Sequence, residues 1–121
     1  MILHICTRDE WAAARAAGVY TADSLASQGF IHCSTEEQLH VPATALFRGR
    51  PDMVVLEIDE SRLPAPIVWE EGDPPHPDGW LFPHLYAALP VTAVVATRDY
   101  APDPDGSFSP ESFTRAPRMP A

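Results

Sequence analysis

The sequence predicts one small α+β domain, and three observations lead to that prediction. Helical and extended segments alternate in the first half, but the second half holds extended segments alone, which disfavours a doubly wound parallel sheet. Residues 53–59 are almost all apolar, as expected of a strand at the centre of a sheet. With 45% hydrophobic residues, a chain of 121 residues can bury a core without a disulfide or a metal ion.

The N-terminal segment predicts a strand followed by a helix. Residues 2–6 are apolar and extended in character. Thr7 and Glu10 have the spacing of a capping box, in which each side chain satisfies a free backbone N–H group. The helix is expected over residues 11–17 and should end at Gly18, because glycine favours the left-handed position after a helix.

A second strand and a second helix are predicted next. Residues 19–27 are interpreted as an irregular or extended link, and residues 29–34 (Gly-Phe-Ile-His-Cys-Ser) as a strand. Ser34 and Glu37 fit another capping box, so the helix should begin directly after Ser34, with a kink or break at Pro42. Its buried face is expected to hold Leu39, Ala43, Leu46 and Phe47.

The second half predicts further strands and a proline-rich end. The strands are expected over residues 53–59, 67–70 and 91–97. The loop at residues 71–79 has no apolar face and is expected to be exposed and mobile. Prolines dominate the end, so we assign one domain to residues 1–100 and an extended or partly disordered tail to residues 101–121.

Charge and composition restrict the function classes. The formal net charge is -9 and all eight basic residues are arginines, so the surface disfavours bulk nucleic acid, although an arginine could hold a single phosphate group. The sequence has no leader pattern and no run of membrane-spanning length, so we expect a cytoplasmic protein. Cys6 and Cys33 lie in apolar runs and are expected to be buried and free.

Three histidines, His4, His32 and His84, lie in apolar segments. Imidazole titrates near neutral pH and can act as an acid, a base or a hydrogen-bond donor, so we expect the three rings to share one site. The alternative for each is a histidine at a strand end, satisfied by a backbone carbonyl. His40 and His76 are interpreted as surface residues.

Other side chains are candidates for the same site. Ser34 lies at the predicted helix N-terminus, where an anion is favoured, and Arg48 and Arg50 could supply countercharge or simply be solvated. Glu70 could orient a histidine, serve as a base or point into water. Tyr86 could be a core residue or stack on a ligand.

No metal site is predicted from spacing, because the sequence lacks Cys-x-x-Cys, His-x-x-x-His and His-Glu-x-x-His patterns. It also lacks a Gly-x-Ser-x-Gly elbow and the glycine-rich phosphate loops.

Six short blocks, in this order and at similar spacing, resemble the small bacterial family called domain of unknown function 952. They are Leu-His-Ile at 3–5, Asp-Ser-Leu at 23–25, Gly-Phe-Ile-His-Cys-Ser at 29–34, Leu-Glu-Ile-Asp at 56–59, Trp-Glu at 69–70 and Phe-Pro-His-Leu-Tyr at 82–86. The resemblance covers residues 2–108 and implies no established reaction.

The motif order is also similar to RNA 2′-phosphotransferases and the wider ADP-ribosyltransferase-like fold. His-Ile-Cys at 4–6, His-Cys-Ser at 32–34 and Arg-Gly-Arg at 48–50 take the places of motifs in those proteins, with Ile5 where they have glycine. This resemblance implies a small split or curved β core, here with two N-terminal helices, that binds NAD or an ADP-ribose-like group in its cleft.

The resulting hypothesis is a transferase of the ADP-ribosyl or 2′-phospho type that acts on a small nucleotide-like or phosphorylated ligand. The acid–base chemistry is assigned to His32, Glu70 and His84. The ligand or an NAD cofactor is assigned to His4, Ser24, Ser34, Arg48 and Tyr86. The alternatives are a non-catalytic binding or regulatory domain, whose acidic face meets a protein partner, and a metal-dependent hydrolase.

Overall fold

The computed structural model describes residues 1–121, which form four α-helices and nine strands. In chain order they are β1 (Ile2–Thr7), α1 (Arg8–Ala17), β2 (Val19–Tyr20), α2 (Asp23–Gln28), β3 (Ile31–His32), α3 (His40–Phe47), β4 (Met53–Ile58), β5 (Ile67–Glu71), β6 (Leu81–Leu85), β7 (Leu89–Pro90), β8 (Val94–Asp99), α4 (Pro110–Arg115) and β9 (Met119–Pro120). All strand pairs are antiparallel, so the predicted α+β class is confirmed.

The largest sheet has the strand order β1-β4-β8-β9 and is covered on both faces. Every residue of β4 is buried, as predicted for a central strand. Because side chains alternate along a strand, Leu56 enters a core of 14 buried residues on one face. Its neighbour Val55 enters a second core of eight buried residues on the other face, where α3 and α4 pack.

A second sheet has the order β3-β6-β5, and a two-stranded ribbon joins β2 to β7. Ile31 of β3 and Leu85 of β6 are fully buried in the larger core, so one face of this sheet packs on the rest of the molecule. A bridge between Leu3 and Ser34 ties the end of β3 to β1. The other face of the sheet carries polar and aromatic side chains.

The first helix follows the prediction closely. The Thr7 hydroxyl accepts a hydrogen bond from the Glu10 backbone N–H, and the Glu10 carboxylate accepts one from the Thr7 N–H, which completes the capping box. Gly18 ends α1 at a φ of 81°, in the left-handed region.

The link expected at residues 19–27 instead contains β2 and the six-residue helix α2. Helix α2 has no side-chain N-cap and buries none of its residues, so neither a capping motif nor an apolar face marks it in the sequence. The first half therefore holds three helices rather than the expected two.

The second predicted helix begins five residues later than expected. Helix α3 starts at His40, because residue Pro42 can occupy only the first turn, where its missing N–H group is not needed. The predicted capping box at Ser34 is wrong: a turn precedes the helix, and the Gln38 side chain accepts from the Thr35 N–H. Leu39 and Ala43 are buried as predicted, but Leu46 is 71% exposed.

The C-terminal segment is not an extended or disordered tail, which corrects that prediction. Ser109 and Ser112 form a capping box that starts α4, with Pro110 at the first helical position. Phe108 and Phe113 are buried in the second core. The proline count is therefore a poor guide here, because prolines flank and start an ordered helix.

The remaining predictions concern the surface and the cysteines. Cys6 and Cys33 are buried and free, as expected. Most of the loop at residues 71–79 is exposed, but His76 stacks on Trp80 with ring centroids 4.0 Å apart. No helix has the length and apolar character needed to cross a membrane.

Candidate functional site

The outer face of the β3-β6-β5 sheet brings together two of the three predicted histidines. His32 lies directly opposite His84 in the strand register, and Val68 lies opposite His84 on its other side. Glu70 follows Val68 by two residues and so shares its face. We call this surface the histidine face; it comprises Phe30, His32, Glu70, His84 and Tyr86.

Glu70 is the hydrogen-bonding centre of the histidine face. Its Oε1 atom accepts from His84 Nδ1 at 2.8 Å and from the Tyr86 hydroxyl at 2.5 Å. These two bonds, the tyrosine bond first, hold the pKa of Glu70 below its usual range, so the group is a carboxylate at neutral pH. The hydrogen bond from the Tyr86 hydroxyl to Glu70 also raises the pKa of the Tyr86 phenol.

His84 is only 4% exposed, and its second ring nitrogen has no partner in the chain. Since Nδ1–H is donated to Glu70, the neutral ring carries no proton on Nε2. The one fully enclosed side-chain nitrogen or oxygen without a partner is Nδ1 of His40, so the Nε2 atom of His84 is not completely enclosed. Phe30 stacks on the His84 ring at 4.1 Å and holds its plane.

His32 is exposed and lies edge-on to His84, with ring centroids 5.3 Å apart. Its Nε2–H donates to Gln28 Oε1 at 2.5 Å, which leaves Nδ1 without a partner in the chain. Partial burial, and then the nearby His84 ring, lower the pKa of His32. The ring is therefore neutral at physiological pH.

His4 does not join the histidine face. It is 7% exposed; its Nδ1–H donates to the His32 carbonyl and its Nε2 accepts from the Tyr20 hydroxyl at 2.8 Å. Burial lowers its pKa to about 4. Both ring nitrogens are occupied, so the alternative of a structurally satisfied histidine describes His4, which links β1 to β2 and β3.

The two serines assigned to the ligand lie outside the histidine face. Ser34 is buried and exchanges backbone hydrogen bonds with Leu3. No helix begins beside it, so the expected anion site at a helix N-terminus is absent. Ser24 lies in the first turn of α2, and its carbonyl accepts from the Gly29 N–H.

The two arginines also have partners elsewhere. Arg48 donates from Nη1 to the Asp105 carbonyl at 3.2 Å, which ties it to the C-terminal segment. Arg50 forms an exposed ion pair with Asp52 at 2.7 Å. Neither contacts a residue of the histidine face, so the predicted phosphate countercharge is not assembled there.

Sequence reasoning missed Phe30 and Gln28. Phe30 could have been found, since it precedes His32 by two residues on an extended segment and so shares its face. Gln28 could not, because its contact with His32 depends on the turn at Gly29, where φ is 89°.

The histidine face is exposed at His32 and Tyr86, whereas His84 is only 4% exposed. Two clefts of about 260 and 290 Å³ lie elsewhere, one beside Glu57, Arg98 and Phe113 and the other beside Ala14 and Tyr20. No group of three or more histidine, cysteine or acidic side chains has the arrangement of a metal site. The chemistry available at the histidine face is therefore acid–base chemistry and hydrogen bonding.

Comparison with known proteins identifies relatives but no activity. Residues 5–97 match the family described as "Protein of unknown function (DUF952)". The chain is similar to the crystal structure of protein CC0527 from Caulobacter crescentus, with 34% identity, 93% of this chain and 96% of that chain covered, and a TM-score of 0.80. The solution structure of the same protein gives 35% identity, 89% and 90% coverage and a TM-score of 0.74. No curated protein matches the chain.

Proposed function

The chain belongs to the DUF952 family of proteins of unknown function, and we propose that its histidine face is the active site of a group-transfer enzyme. The proposed ligand is a small nucleotide-like or phosphorylated molecule, and the proposed chemistry is of the ADP-ribosyl or 2′-phospho transfer type.

One observation carries the proposal: Glu70 accepts from Nδ1–H of His84 and leaves Nε2 of His84 without a partner in the chain. A carboxylate that accepts from Nδ1–H fixes the ring orientation and stabilises the imidazolium that forms when Nε2 takes a proton. Such a nitrogen can serve as the general base that activates a hydroxyl group for transfer.

The neighbours of this pair supply further functions for the proposed site. Tyr86 is 43% exposed and offers an aromatic ring on which a base or sugar can stack. His32, with its free Nδ1, is a second acid–base group 5.3 Å from His84 between ring centroids. Phe30 keeps the two imidazoles in place through contacts with both rings.

The sheet arrangement supports the proposal of an ADP-ribosyltransferase-like fold. Two antiparallel sheets, β1-β4-β8-β9 and β3-β6-β5, meet through the bridge between Leu3 and Ser34. This is compatible with the split β core that the resemblance implies. Fold likeness alone does not assign a reaction, so the proposed chemistry depends on the geometry of the histidine face.

The residues expected to hold NAD do not fit that cofactor as a set. His4 has no free ring nitrogen, and Arg48 is bonded to the C-terminal segment. We therefore derive no step through NAD, and the proposed chemistry depends on Glu70, His84 and His32 alone.

The proposal is tested by ligand-dependent stabilisation followed by an assay for turnover. A ligand present at 100 times its dissociation constant stabilises the native state by about 2.7 kcal/mol, which raises the melting temperature by about 10 °C in a domain of this size. We expect such a shift with ADP-ribose or a nucleotide phosphate, and product formation detected by phosphorus NMR.

The variant His84→Gln should keep the fold and lose turnover, because it removes the proposed base. His76→Gln is the matched control, since His76 stacks on Trp80 in the exposed loop. Equal turnover by the two variants would overturn the assignment of the active site.

The exposure of His32 and Tyr86 favours a second candidate, a non-catalytic binding domain. An exposed sheet face excludes less water than a cleft does, and water exclusion strengthens the electrostatics that catalysis uses. Stabilisation by a ligand that is never converted, and is unaffected by His84→Gln, would favour the binding domain.

A further inference from the structure

Each side-chain hydrogen-bond donor of His32, His84 and Tyr86 is bonded within the protein when both rings are neutral. His84 Nδ1–H and the Tyr86 hydroxyl both donate to Glu70, and His32 Nε2–H donates to Gln28. Three groups have no partner in the chain: Nε2 of His84, Nδ1 of His32 and Oε2 of Glu70. Oε2 of Glu70 and Nδ1 of the neutral His32 ring accept only, and Nε2 of His84 is an acceptor in the tautomer that donates from Nδ1.

This pattern sets the two imidazoles in opposite tautomers. Glu70 Oε1 accepts only, so His84 carries its proton on Nδ1. Gln28 Oε1 also accepts only, so His32 carries its proton on Nε2. The two lone pairs lie on rings whose centroids are 5.3 Å apart, which is close enough for one small ligand to reach both.

An anion is a poor partner for such a surface. A phosphate needs donors and finds no free side-chain donor within the histidine face, only the amide N–H groups of Gln28 beside it, and it also meets the Glu70 carboxylate. A ligand that brings its own donors satisfies the exposed acceptors instead. Neighbouring hydroxyl groups do so without a charge, and the half-exposed Tyr86 ring offers the flat apolar surface on which a sugar ring packs.

We propose that Gln28 and Glu70 hold His32 and His84 in opposite tautomers, so that the histidine face selects a ligand by a pair of neighbouring hydroxyl groups, as in the cis-diol of a ribose. The inference rests on the proposed function, since it names the part of the ligand that the same site recognises. Gln28 is then a positioning residue that acts through His32. The phosphate of a nucleotide-like ligand lies beyond the histidine face.

Helix α2 and its C-terminal turn hold Gln28 in place. Gln28 is the last residue of α2, and Gly29 follows it in the left-handed conformation. The chain then turns into β3, so that His32 comes back over Gln28 four residues later. The hydrogen bond thus couples the end of a helix to the register of the sheet.

The tautomers can be measured directly by long-range proton–nitrogen NMR of the imidazole rings at neutral pH. We expect a single Nδ1–H form for His84 and a single Nε2–H form for His32. The variant Gln28→Met keeps the length of the side chain and removes its acceptor, so His32 should shift to a mixture of tautomers while His84 stays unchanged. Ser27→Ala, on the same helix, is the control and should change neither ring.

Ligand selection is tested with methyl β-ribofuranoside, its 2-deoxy analogue and inorganic phosphate, with the two histidine spectra as the readout. The riboside should perturb both rings, and loss of one hydroxyl should weaken binding about tenfold, the effect of one hydrogen bond. Gln28→Met should weaken binding of the riboside by a similar factor, and Ser27→Ala should not.

A His32 spectrum in the Nδ1–H form would overturn the proposal, as would equal binding of the riboside and its deoxy analogue. Tighter binding of phosphate, or of a simple ammonium compound such as ethanolamine, would overturn it as well. Diol selectivity without turnover would contradict the proposed enzyme and leave this inference standing. Turnover without diol selectivity would contradict this inference and leave the proposed enzyme standing.

Discussion

Histidine takes three different environments in this chain, and its hydrogen-bond partners decide what each ring can do. His4 is enclosed with both nitrogens bonded, so it acts as a rigid link between strands. His84 has one nitrogen bonded to a carboxylate and the other without a partner in the chain, which is the arrangement of a base. His32 is exposed and held by a neutral amide, which makes it the more easily displaced of the two outer rings.

The burial of His4 predicts a pH-dependent stability. Its pKa is lowered from 6.5 to about 4, chiefly by burial, so the unfolded chain binds the proton more tightly than the folded protein does. The contribution of the neutral His4 ring to the stability of the fold is complete above pH 6.5 and is lost as the pH falls toward 4. We expect the free energy of unfolding to drop by about 3 kcal/mol over that window.

Urea denaturation at a series of pH values measures this drop. The variant His4→Gln is less stable at neutral pH, but it lacks the titrating ring, so its stability should change by about 3 kcal/mol less between the two pH limits. Parallel curves for the variant and the wild type would contradict a neutral, buried His4.

The Glu70 carboxylate predicts the order in which the tyrosines ionise. Tyr86 has a raised pKa because it donates to Glu70. Tyr20 and Tyr100 have pKa values raised by burial, that of Tyr100 to about 12. Because Tyr86 is 43% exposed whereas Tyr20 and Tyr100 are buried, Tyr86 should be the first phenol to ionise. Glu70→Gln should move that first transition to lower pH, because a neutral amide no longer opposes the phenolate.

Ultraviolet absorbance of the phenolate follows this titration. Tyr86→Phe should remove the first transition altogether and so identify it. A first transition at the same pH in wild type and Glu70→Gln would show that the carboxylate does not contact the phenol.

At the scale of single elements, the end of α2 controls the geometry of the histidine face. Gly29 has a φ of 89° and open space where a Cβ would lie, so Gly29→Ala introduces backbone strain alone, of about 1 kcal/mol. Gly18, which ends α1 at a φ of 81°, is the matched control with the same open surroundings. Both alanine variants should lose similar stability in denaturant.

The two glycine variants should differ in their effect on the site. Gly29→Ala shifts the chain between Gln28 and His32, so it should alter the His32 imidazole resonances, whereas Gly18→Ala should leave them unchanged. An unaltered His32 spectrum in Gly29→Ala would mean that the turn does not set the position of the ring.

Local signals explain which elements the sequence could predict. The boundaries of α1 follow from the capping box at Thr7 and the glycine at position 18, both read within a few residues. The predicted start of helix α3 is wrong because the observed start depends on Pro42 and on a turn held by the Gln38 side chain. That side chain also donates to the Leu81 carbonyl, a contact between residues distant in the sequence. Helix α2 carries no capping or amphipathic signal at all.

The same distinction applies to the candidate site. Strand alternation places His84 and Glu70 on one face of the sheet, and the pairing of β3 with β6 brings the exposed His32 beside the buried His84. The position of His4 depends on its hydrogen bond with Tyr20 of β2. Tyr20 lies in residues 19–27, for which the sequence predicts only an irregular or extended link. Arg48 turns toward the C-terminal segment because that segment is folded, contrary to prediction.

At the scale of the whole molecule, the C-terminal segment closes the second core. Glu57 of β4 is buried and pairs with Arg98 at 3.3 Å and with Arg118 at 3.1 Å, so two arginines compensate one carboxylate. Arg98 also lies over the Phe113 ring at 4.5 Å and donates to the Phe113 carbonyl. The segment is thus joined to the central sheet by apolar packing and by charge.

These contacts predict that residues 1–100 do not form a stable domain alone. A chain ending at Tyr100 would expose the face of β4 that packs on Phe108 and Phe113, and would leave Glu57 without Arg118.

Phe113→Ala in the full chain should lower the free energy of unfolding by about 3 kcal/mol, because Phe113 is 4% exposed in the core. Arg115→Ala, an exposed residue at the end of α4, is the control and should change stability little. Calorimetric melting of the truncated chain and the two variants tests this prediction. If the truncated chain and Phe113→Ala melt at the wild-type temperature, residues 101–121 are a tail. If the melting temperature falls in these two forms and not in Arg115→Ala, the C-terminal segment completes the fold that presents the histidine face.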